Sequence, residues 1–131
     1  MATTAPLLLD TQHFLWWQEA SPRIAPPTIA LIERAPQVFV SAMTAVDIAV
    51  KVSIGKLRVP GTPFQEAITS AGFTSLPFAV HHVEVLRILP LHHRDPFDRM
   101  LVAQAIADGL TLVTSDETLS AYPVKLDGLS R

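Results

Sequence analysis

The chain has 131 residues, 49% of them hydrophobic, a formal net charge of −2 and no cysteine. This length favours a single domain over residues 1–131, and the weak net charge excludes a strongly basic, DNA-coating protein. Without cysteine there are no disulfides or thiolate metal sites. No apolar run approaches the ~20 residues of a membrane helix, and Met1–Pro6 lacks the layout of a secretory signal, so we expect a soluble cytoplasmic protein.

The first part of the chain predicts two strands with helices between them. A short apolar run ending in an aspartate and a compact β-rich run predict the strands. Ser21-Pro22 resembles a helix start, with serine as N-cap and proline at the first helical position. Pro26-Pro27 would break or delay this helix before it is completed. The predicted strands are residues 6–10 and 37–41, and the predicted helices are residues 11–20 and 21–35.

Residues 44–56 are ambiguous between strand and helix. Apolar residues alternate at a period of two, which favours a strand. Against this, Thr44 and Asp47 resemble a capping box, Asp47 and Lys51 have the spacing of a helical ion pair, and Gly55 would end a helix. The two interpretations balance. The alternating residues are Val46, Ile48, Val50, Val52 and Ile54.

The second part of the chain continues the alternation of helices and strands. Residues 95–109 form the clearest predicted helix, opening with Asp95-Pro96 and closing with Gly109. Other predicted elements are helices at 61–72, 79–90 and 117–122 and strands at 73–77, 110–116 and 124–126. Such alternation predicts an α/β fold with a mostly parallel sheet and helices on both faces. Ligands of such folds bind beyond the carboxyl ends of the strands, where the strand order switches.

Acidic residues recur where predicted strands end. Asp10 and Asp116 follow strands, and Asp47 follows the strand at 37–41, so all three point to one rim of a parallel sheet. Asp98 lies in the first turn of the helix at 95–109, and simple alternation does not place it at that rim. Each acid has a structural alternative, because aspartate caps helices and stabilises their first turn. Asp95 fits the cap role best.

Several carboxylates at one rim would repel each other unless a cation lay among them. Mg²⁺ prefers oxygen ligands and typically uses one or two carboxylates while keeping several waters. A cluster of this kind suits metal-assisted phosphoryl chemistry. The histidine pairs are poorer candidates, because adjacent residues on a helix point about 100° apart. We expect a structural role for His92-His93, which lead into the acidic motif beside the pocket, and no zinc site.

Four stretches of the sequence resemble one known family. They are "LLLDT" (7–11) with "WW" (16–17), "VSAMTAVDIAVKVSIGKLRVP" (40–60), "LPLHHRDPFDRMLVAQAIADGLTLVTSD" (89–116), and "VKL" (124–126). Together they resemble PIN-domain ribonucleases of the VapC type, the toxins of bacterial toxin–antitoxin pairs. The likeness covers residues 7–126. It implies a PIN-like three-layer α/β/α fold with a mostly parallel central sheet of about five strands.

The resemblance also implies site residues. The family's four acids match Asp10, Asp47, Asp98 and Asp116, which implies that these are catalytic and metal-binding and that residues 44–56 are helical. One position departs from the family pattern: Asp47 stands where members of this subgroup usually have glutamate. Aspartate is one methylene shorter, so its metal contact would pass through water or be lost.

The activity implied by the resemblance is cleavage of RNA by a Mg²⁺- or Mn²⁺-activated water. Arg94, Arg99 and Lys51 are candidates to touch the RNA backbone. The implied partners are a cognate antitoxin, bound along a groove near the acids, and a second copy of the chain in a homodimer. The alternative is a catalytically weakened PIN-like module that binds RNA or a protein partner without cleavage.

Overall fold

The computed structural model describes residues 5–129, which form one α/β arrangement around a parallel sheet. Residues 1–4, part of the segment expected to carry no secretory signal, lie outside the described residues, as do residues 130 and 131. The strands are β1 (Leu7–Leu9), β2 (Val38–Ser41), β3 (Thr74–Leu76), β4 (Thr111–Val113) and β5 (Lys125–Asp127). The helices are α1 (Thr11–Gln18), α2 (Pro26–Arg34), α3 (Ala42–Ser53), α4 (Phe64–Ser70), α5 (Val80–Ile88) and α6 (Pro96–Asp108), with a 3₁₀ turn at Glu117–Ala121.

The five strands are all parallel and have the order β3-β2-β1-β4-β5. The chain first builds outward from β1 through β2 to β3, then returns to place β4 on the other side of β1. The strand order therefore switches between β1 and β4, and ligands of such sheets bind beyond the carboxyl ends at this point. Asp10 follows β1 there, and its backbone N–H donates to the Val113 carbonyl at 3.0 Å.

Apolar side chains cover both faces of the sheet, which confirms the expected three layers. Alternation along β1 sends Leu7 and Leu9 to one face and Leu8 to the other. The first face is covered by side chains of α1, α2, α3 and α4. On the second face, α6 packs against the sheet together with buried Tyr122. Within residues 5–129, no helix combines the length and apolarity needed to cross a membrane.

Residues 42–53 are helical. The burial of their side chains explains why the alternation of apolar residues wrongly favoured a strand. Of the five alternating apolar residues only Ile48 is buried, whereas the other four are 41–60% exposed. A one-sided pattern of this kind belongs to a helix that covers the sheet with a single stripe. The capping prediction was wrong: Ser41 is the N-cap and accepts from the Met43 N–H at 2.9 Å. The Thr44 hydroxyl is buried and finds no hydrogen-bond partner among residues 5–129.

The prediction that a helix starts at Ser21-Pro22 is also wrong. Residues 21–25 form turns, and α2 begins at Pro26. Pro26 and Pro27 start the helix and do not interrupt it, because the first turn needs no N–H partner and proline already has a helical φ. Ala25 before them is extended, with ψ of 140°, as a residue preceding proline prefers.

Candidate metal centre

One cavity at the switch point between β1 and β4 is lined by all four aspartates that the sequence singled out. Asp10 follows β1, Asp116 follows β4, and Asp98 comes from the first turn of α6. Asp47 lies in the second turn of α3, because the helix begins at Ala42 and not after Thr44. The cavity measures about 230 Å³, enough for several waters at ~30 Å³ each. Its lining also includes Thr11, Gln12, Leu15, Lys51, Asp95, Thr114 and Ser115.

Asp10 is both a helix cap and a cavity residue. Its Oδ1 accepts from the His13 backbone N–H at 2.7 Å and from the His13 ring nitrogen Nδ1 at 2.9 Å. Oδ2 receives no hydrogen bond from residues 5–129. The cap and metal-site interpretations of Asp10 are therefore compatible, because different oxygens serve them. His13 is buried and fixes the orientation of the carboxylate.

Asp98 is the electrostatically least satisfied acid of the cavity. Burial, followed by the repulsion of Asp95, raises its pKa from 3.8 to about 6, and Asp10 and Asp116 raise it further. His93 is the neighbour that opposes this shift, with Nε2 at 3.7 Å from Asp98 Oδ2. Within the described chain, the Asp98 carboxylate accepts no hydrogen bond. A cation in the cavity would relieve this repulsion.

Asp95 accepts the hydrogen bonds that the free N–H groups at the start of α6 could otherwise donate to Asp98. Asp95 is the N-cap of α6, as predicted, and its Oδ1 accepts from the Phe97 and Asp98 N–H groups at 2.8 and 3.3 Å. The first orphan donors of the helix are thus taken by Asp95. The Asp98 side chain, three residues on, projects into the cavity without them.

Asp116 is held by donors on both of its oxygens. Oδ1 accepts from the Thr118 N–H at 3.0 Å and the Thr118 hydroxyl at 2.6 Å, and Oδ2 lies 2.9 Å from His93 Nε2. Partial burial raises the pKa of Asp116, but the hydrogen bonds from Thr118 and His93 outweigh it and hold the pKa below its ordinary value. Asp116 therefore stays ionised under conditions where Asp98 begins to protonate.

Asp47 is buried and is paired with a cation of its own helix. Lys51 Nζ lies 3.2 Å from Asp47 Oδ1, the i,i+4 pair that the sequence predicts. Lys51 also lines the cavity, unlike the two arginines considered with it. Arg94 is exposed. Arg99 directs Nη2 to the Leu89 carbonyl at 3.1 Å, and its buried Nε has no hydrogen-bond partner in the part of the chain that the structure describes.

Sequence reasoning missed His13 and placed His92-His93 beside the pocket without predicting that His93 touches the acids. His13 binds Asp10, and its only sequence signal is its position three residues after that aspartate. His93 contacts Asp116 and lies near Asp98. The sequence placed His92-His93 just ahead of the acidic motif, but it could not show which of the two turns toward the cavity.

The donor set fits a hard divalent cation. The cavity offers carboxylate oxygens from four separate segments, which is the ligand chemistry of Mg²⁺ and Mn²⁺. Its most repelled carboxylate, Asp98, and the free oxygen of Asp10 are the unsatisfied groups. The buried Thr11 hydroxyl, beside Asp10, also has no partner within the described chain.

Comparison with known proteins identifies the family of the fold. The family model described as PIN domain matches residues 7–125. A comparison with curated protein sequences finds no significant match.

Several solved structures share the fold at low sequence identity. VapBC2 from Rickettsia felis, bound to a promoter DNA fragment, has a TM-score of 0.67 and 16% identity, covering 93% of this chain and 97% of the other. FitAcB from Neisseria gonorrhoeae has a TM-score of 0.64 and 18% identity, covering 92% and 95%. VapBC-5 from Mycobacterium tuberculosis, of the VapBC family of toxin–antitoxin systems, has a TM-score of 0.59 and 19% identity, covering 95% and 98%. The family match spans most of the chain, and the chain belongs to the PIN domain family.

Proposed function

We propose that this protein is a metal-dependent endoribonuclease, the toxin of a toxin–antitoxin pair, which hydrolyses RNA phosphodiester bonds. The observation that carries the proposal is the convergence of Asp10, Asp47, Asp98 and Asp116 on one cavity, with the pKa of Asp98 raised to about 6. PIN domains are in general nucleases. The structural neighbours from R. felis and M. tuberculosis are toxin–antitoxin complexes, which supports the biological context.

Asp10 and Asp98 are the proposed principal metal ligands. Asp10 has one oxygen held by His13 and the other free, and Asp98 has no competing donor in the described chain. Asp116 and Asp47 complete the site, with their positions fixed by Thr118 and Lys51. When bound, Mg²⁺ or Mn²⁺ supplies an acidified water and neutralises charge that develops on the phosphate oxygens.

The protein side chains bind and orient the RNA phosphate. Lys51 is the cationic side chain of the cavity lining and is placed to attract an RNA phosphate. Its pairing with Asp47 holds the ammonium at the edge of the acids, where it offsets part of their negative charge. Arg94 and Arg99 lie outside the lining, so we assign them no contact at the reacting phosphate.

An apolar groove next to the cavity is the proposed docking site of the antitoxin. Phe14, Ile48, Val59 and Phe64 are among its lining residues, and Leu15 lines both the groove and the acid cavity. A partner segment with apolar side chains in the groove would therefore end beside the acids. Inhibition then follows from occlusion of the metal site.

The expected homodimer is also part of the proposal. Ile88 and Leu91, at the end of α5 and just beyond it, are 74% and 75% exposed. Contiguous exposed apolar patches mark protein–protein surfaces, and we propose that these two neighbouring side chains belong to such a patch, covered by a second copy. Light scattering of the purified protein should give twice the chain mass, and Ile88→Glu should shift it toward the monomer. A monomeric wild-type protein would contradict this part.

The activity is tested with purified protein, an RNA pool and either Mg²⁺ or Mn²⁺. Wild type should cleave, whereas Asp10→Asn and Asp98→Asn should not. Asp108→Asn is the matched control, because it removes a carboxylate from the same helix as Asp98 but outside the cavity. Equal cleavage by wild type and the two cavity variants, or no cleavage with either metal, would contradict the proposal.

The Asp47–Lys51 pair favours a second candidate, a PIN-like module that binds RNA or a partner without cleavage. Aspartate is short for this position, and its Oδ1 is engaged by Lys51. Asp47→Glu distinguishes the two candidates. If activity is weak because of limited reach, this variant should cleave faster than wild type. If it leaves an inactive protein inactive while RNA still binds, the module is the better description.

A further inference from the structure

His93 lies in the segment between α5 and α6, and its ring is held from two sides. Its Nδ1 accepts a hydrogen bond from the Asp95 backbone N–H at 3.1 Å. Its Nε2 faces the cavity acids, at 2.9 Å from Asp116 Oδ2 and 3.7 Å from Asp98 Oδ2. The ring therefore joins the backbone at the start of α6 to the carboxylate that follows β4.

The Asp95 contact determines which nitrogen carries the proton. A neutral imidazole has one N–H and one lone pair. Because the lone pair of Nδ1 accepts from Asp95, the proton lies on Nε2, which then donates to Asp116. A metal ligand needs a free lone pair at the coordinating nitrogen. His93, Asp98 and Asp116 offer atoms within 4.8 Å of one another, yet Nε2 of His93 cannot ligate an ion while the Asp95 contact persists.

The backbone around His93 is fixed by a buried residue from another part of the chain. The N–H groups of His92 and His93 both donate to the Tyr122 hydroxyl at 3.1 Å, and Tyr122 is buried in the core. Arg99 binds the Leu89 carbonyl at the other end of the segment. The backbone position of His93 thus follows from the fold, and the Asp95 N–H and Asp116 carboxylate set the orientation of its ring.

We propose that His93 is a positioning residue that orients the Asp116 carboxylate by N–H donation and is not itself a metal ligand. This rests on the proposed function of the cavity. With Thr118 on Oδ1 and His93 on Oδ2, the carboxylate of Asp116 has one orientation toward the site. Without His93, Oδ2 is free to rotate toward solvent or toward Asp98, which increases the repulsion that disfavours both acids.

The test uses two variants of the full chain. His93→Gln keeps an N–H donor at a similar reach, whereas His93→Ala removes it. His92→Ala is the matched control, because its neighbouring ring touches Tyr122 but has no contact with the acids in the described structure. Mn²⁺ affinity is measured by electron paramagnetic resonance without RNA, and kcat and KM are measured with a defined RNA substrate.

We expect His93→Ala to weaken Mn²⁺ binding by roughly 10- to 100-fold, as loss of a supporting hydrogen bond does in other metal sites. His93→Gln should recover most of this loss, His92→Ala should resemble wild type, and kcat should fall more than KM rises. Pulsed resonance of the Mn²⁺-loaded protein should show no nitrogen coupling from His93. A coupling that disappears in His93→Gln, or equal Mn²⁺ affinity in wild type and His93→Ala, would overturn the proposal.

A readout on the metal-free protein separates this proposal from the nuclease assignment. Nitrogen NMR of the histidine rings should show the His93 proton on Nε2 and an unprotonated Nδ1. A proton on Nδ1 would refute the role of His93 whether or not the protein cleaves RNA. Failure of the nuclease assignment has a different signature, namely equal behaviour of wild type and Asp98→Asn toward Mn²⁺ and RNA.

Discussion

At Asp108 two imidazoles converge on one carboxylate, whereas at Asp98 several carboxylates converge around one imidazole. The two aspartates lie at opposite ends of α6. His81 Nε2 and His82 Nε2 each lie 2.8 Å from an oxygen of Asp108. Partial burial raises the pKa of Asp108, but the hydrogen bonds from His82 and His81 outweigh it and hold the pKa below its ordinary value. Burial and repulsion instead raise the pKa of Asp98 to about 6.

The difference separates a structural contact from a site that needs an ion. His82 accepts the Ala79 N–H on Nδ1 at 2.9 Å, so its Nε2 is a donor to Asp108. The Asp108 cluster is therefore internally satisfied, although its three side chains are close enough to hold a metal. The Asp98 cavity has more acceptors than donors. Proximity of potential ligands is thus a weaker indicator of a metal site than the balance of donors and acceptors.

The largest expected effect is on catalysis. Asp98→Asn should reduce RNA cleavage by at least roughly 100-fold, beyond the range typical of residues that only support a metal ligand. Asp108→Asn should leave the cleavage rate within a few-fold of wild type. Initial rates at saturating Mg²⁺ provide the measurement. A similar loss of cleavage in both variants would mean that Asp98 is no more important for catalysis than Asp108, which contradicts the proposed metal site.

Metal binding should stabilise the folded protein through the Asp98 cavity alone. At a free Mn²⁺ concentration 100 times its dissociation constant, the free energy of unfolding should rise by about 2.7 kcal/mol. Thermal unfolding with and without Mn²⁺ measures this shift. It should persist in Asp108→Asn and be largely lost in Asp98→Asn. An equal shift in wild type and Asp98→Asn would place the bound ion elsewhere.

The two histidines of Asp108 should differ in their contribution to stability. His82 is buried and caps the Ala79 N–H, so His82→Ala should cost at least about 2 kcal/mol through a cavity and an unsatisfied donor. The His81 side chain is 60% exposed, so His81→Ala should cost less than about 1 kcal/mol. Urea unfolding compares them. Equal losses would indicate that the hydrogen bonds to Asp108, and not burial, dominate.

The metal-free protein should show a pair of opposite pH dependences at the two ends of α6. The pKa of Asp98 is raised from 3.8 to about 6 in the folded state, so its stabilising contribution is complete below 3.8 and is lost as the pH rises through about 6. The pKa of Asp108 is lowered, so its contribution is present above the ordinary value and is lost as the pH falls through the folded-state pKa.

Urea unfolding in the presence of a chelator tests both signs. Between pH 5 and 7, Asp98→Asn should gain stability relative to wild type. Between pH 5 and 3, the stability advantage of wild type over Asp108→Asn should shrink. A difference between wild type and Asp98→Asn that does not change with pH would show that the Asp98 pKa is not raised.

Local signals predicted the ends of most elements. Asp95-Pro96 and Gly109 predicted the bounds of α6 because capping chemistry acts within one turn. Local signals failed at residues 21–27, where Ser21-Pro22 predicts the helix start and Pro26-Pro27 an interruption, whereas α2 begins at Pro26. They also left residues 44–56 undecided, because both periodicities depend on which residues meet the sheet, and that is a property of the assembled fold.

The sequence by itself determined the alternating α/β pattern, the parallel sheet and the acids that follow its strands, since these depend on local periodicity and on the direction of the chain. Local patterns could not bring Asp98 to Asp10 and Asp116, because α6 follows another helix and its position depends on packing. The family resemblance implied this grouping, and the tertiary structure places the three acids around one cavity. The donors around each acid were likewise decided by folding. His93 reaches Asp116 across 23 positions of sequence, and no local pattern encodes a contact of that range.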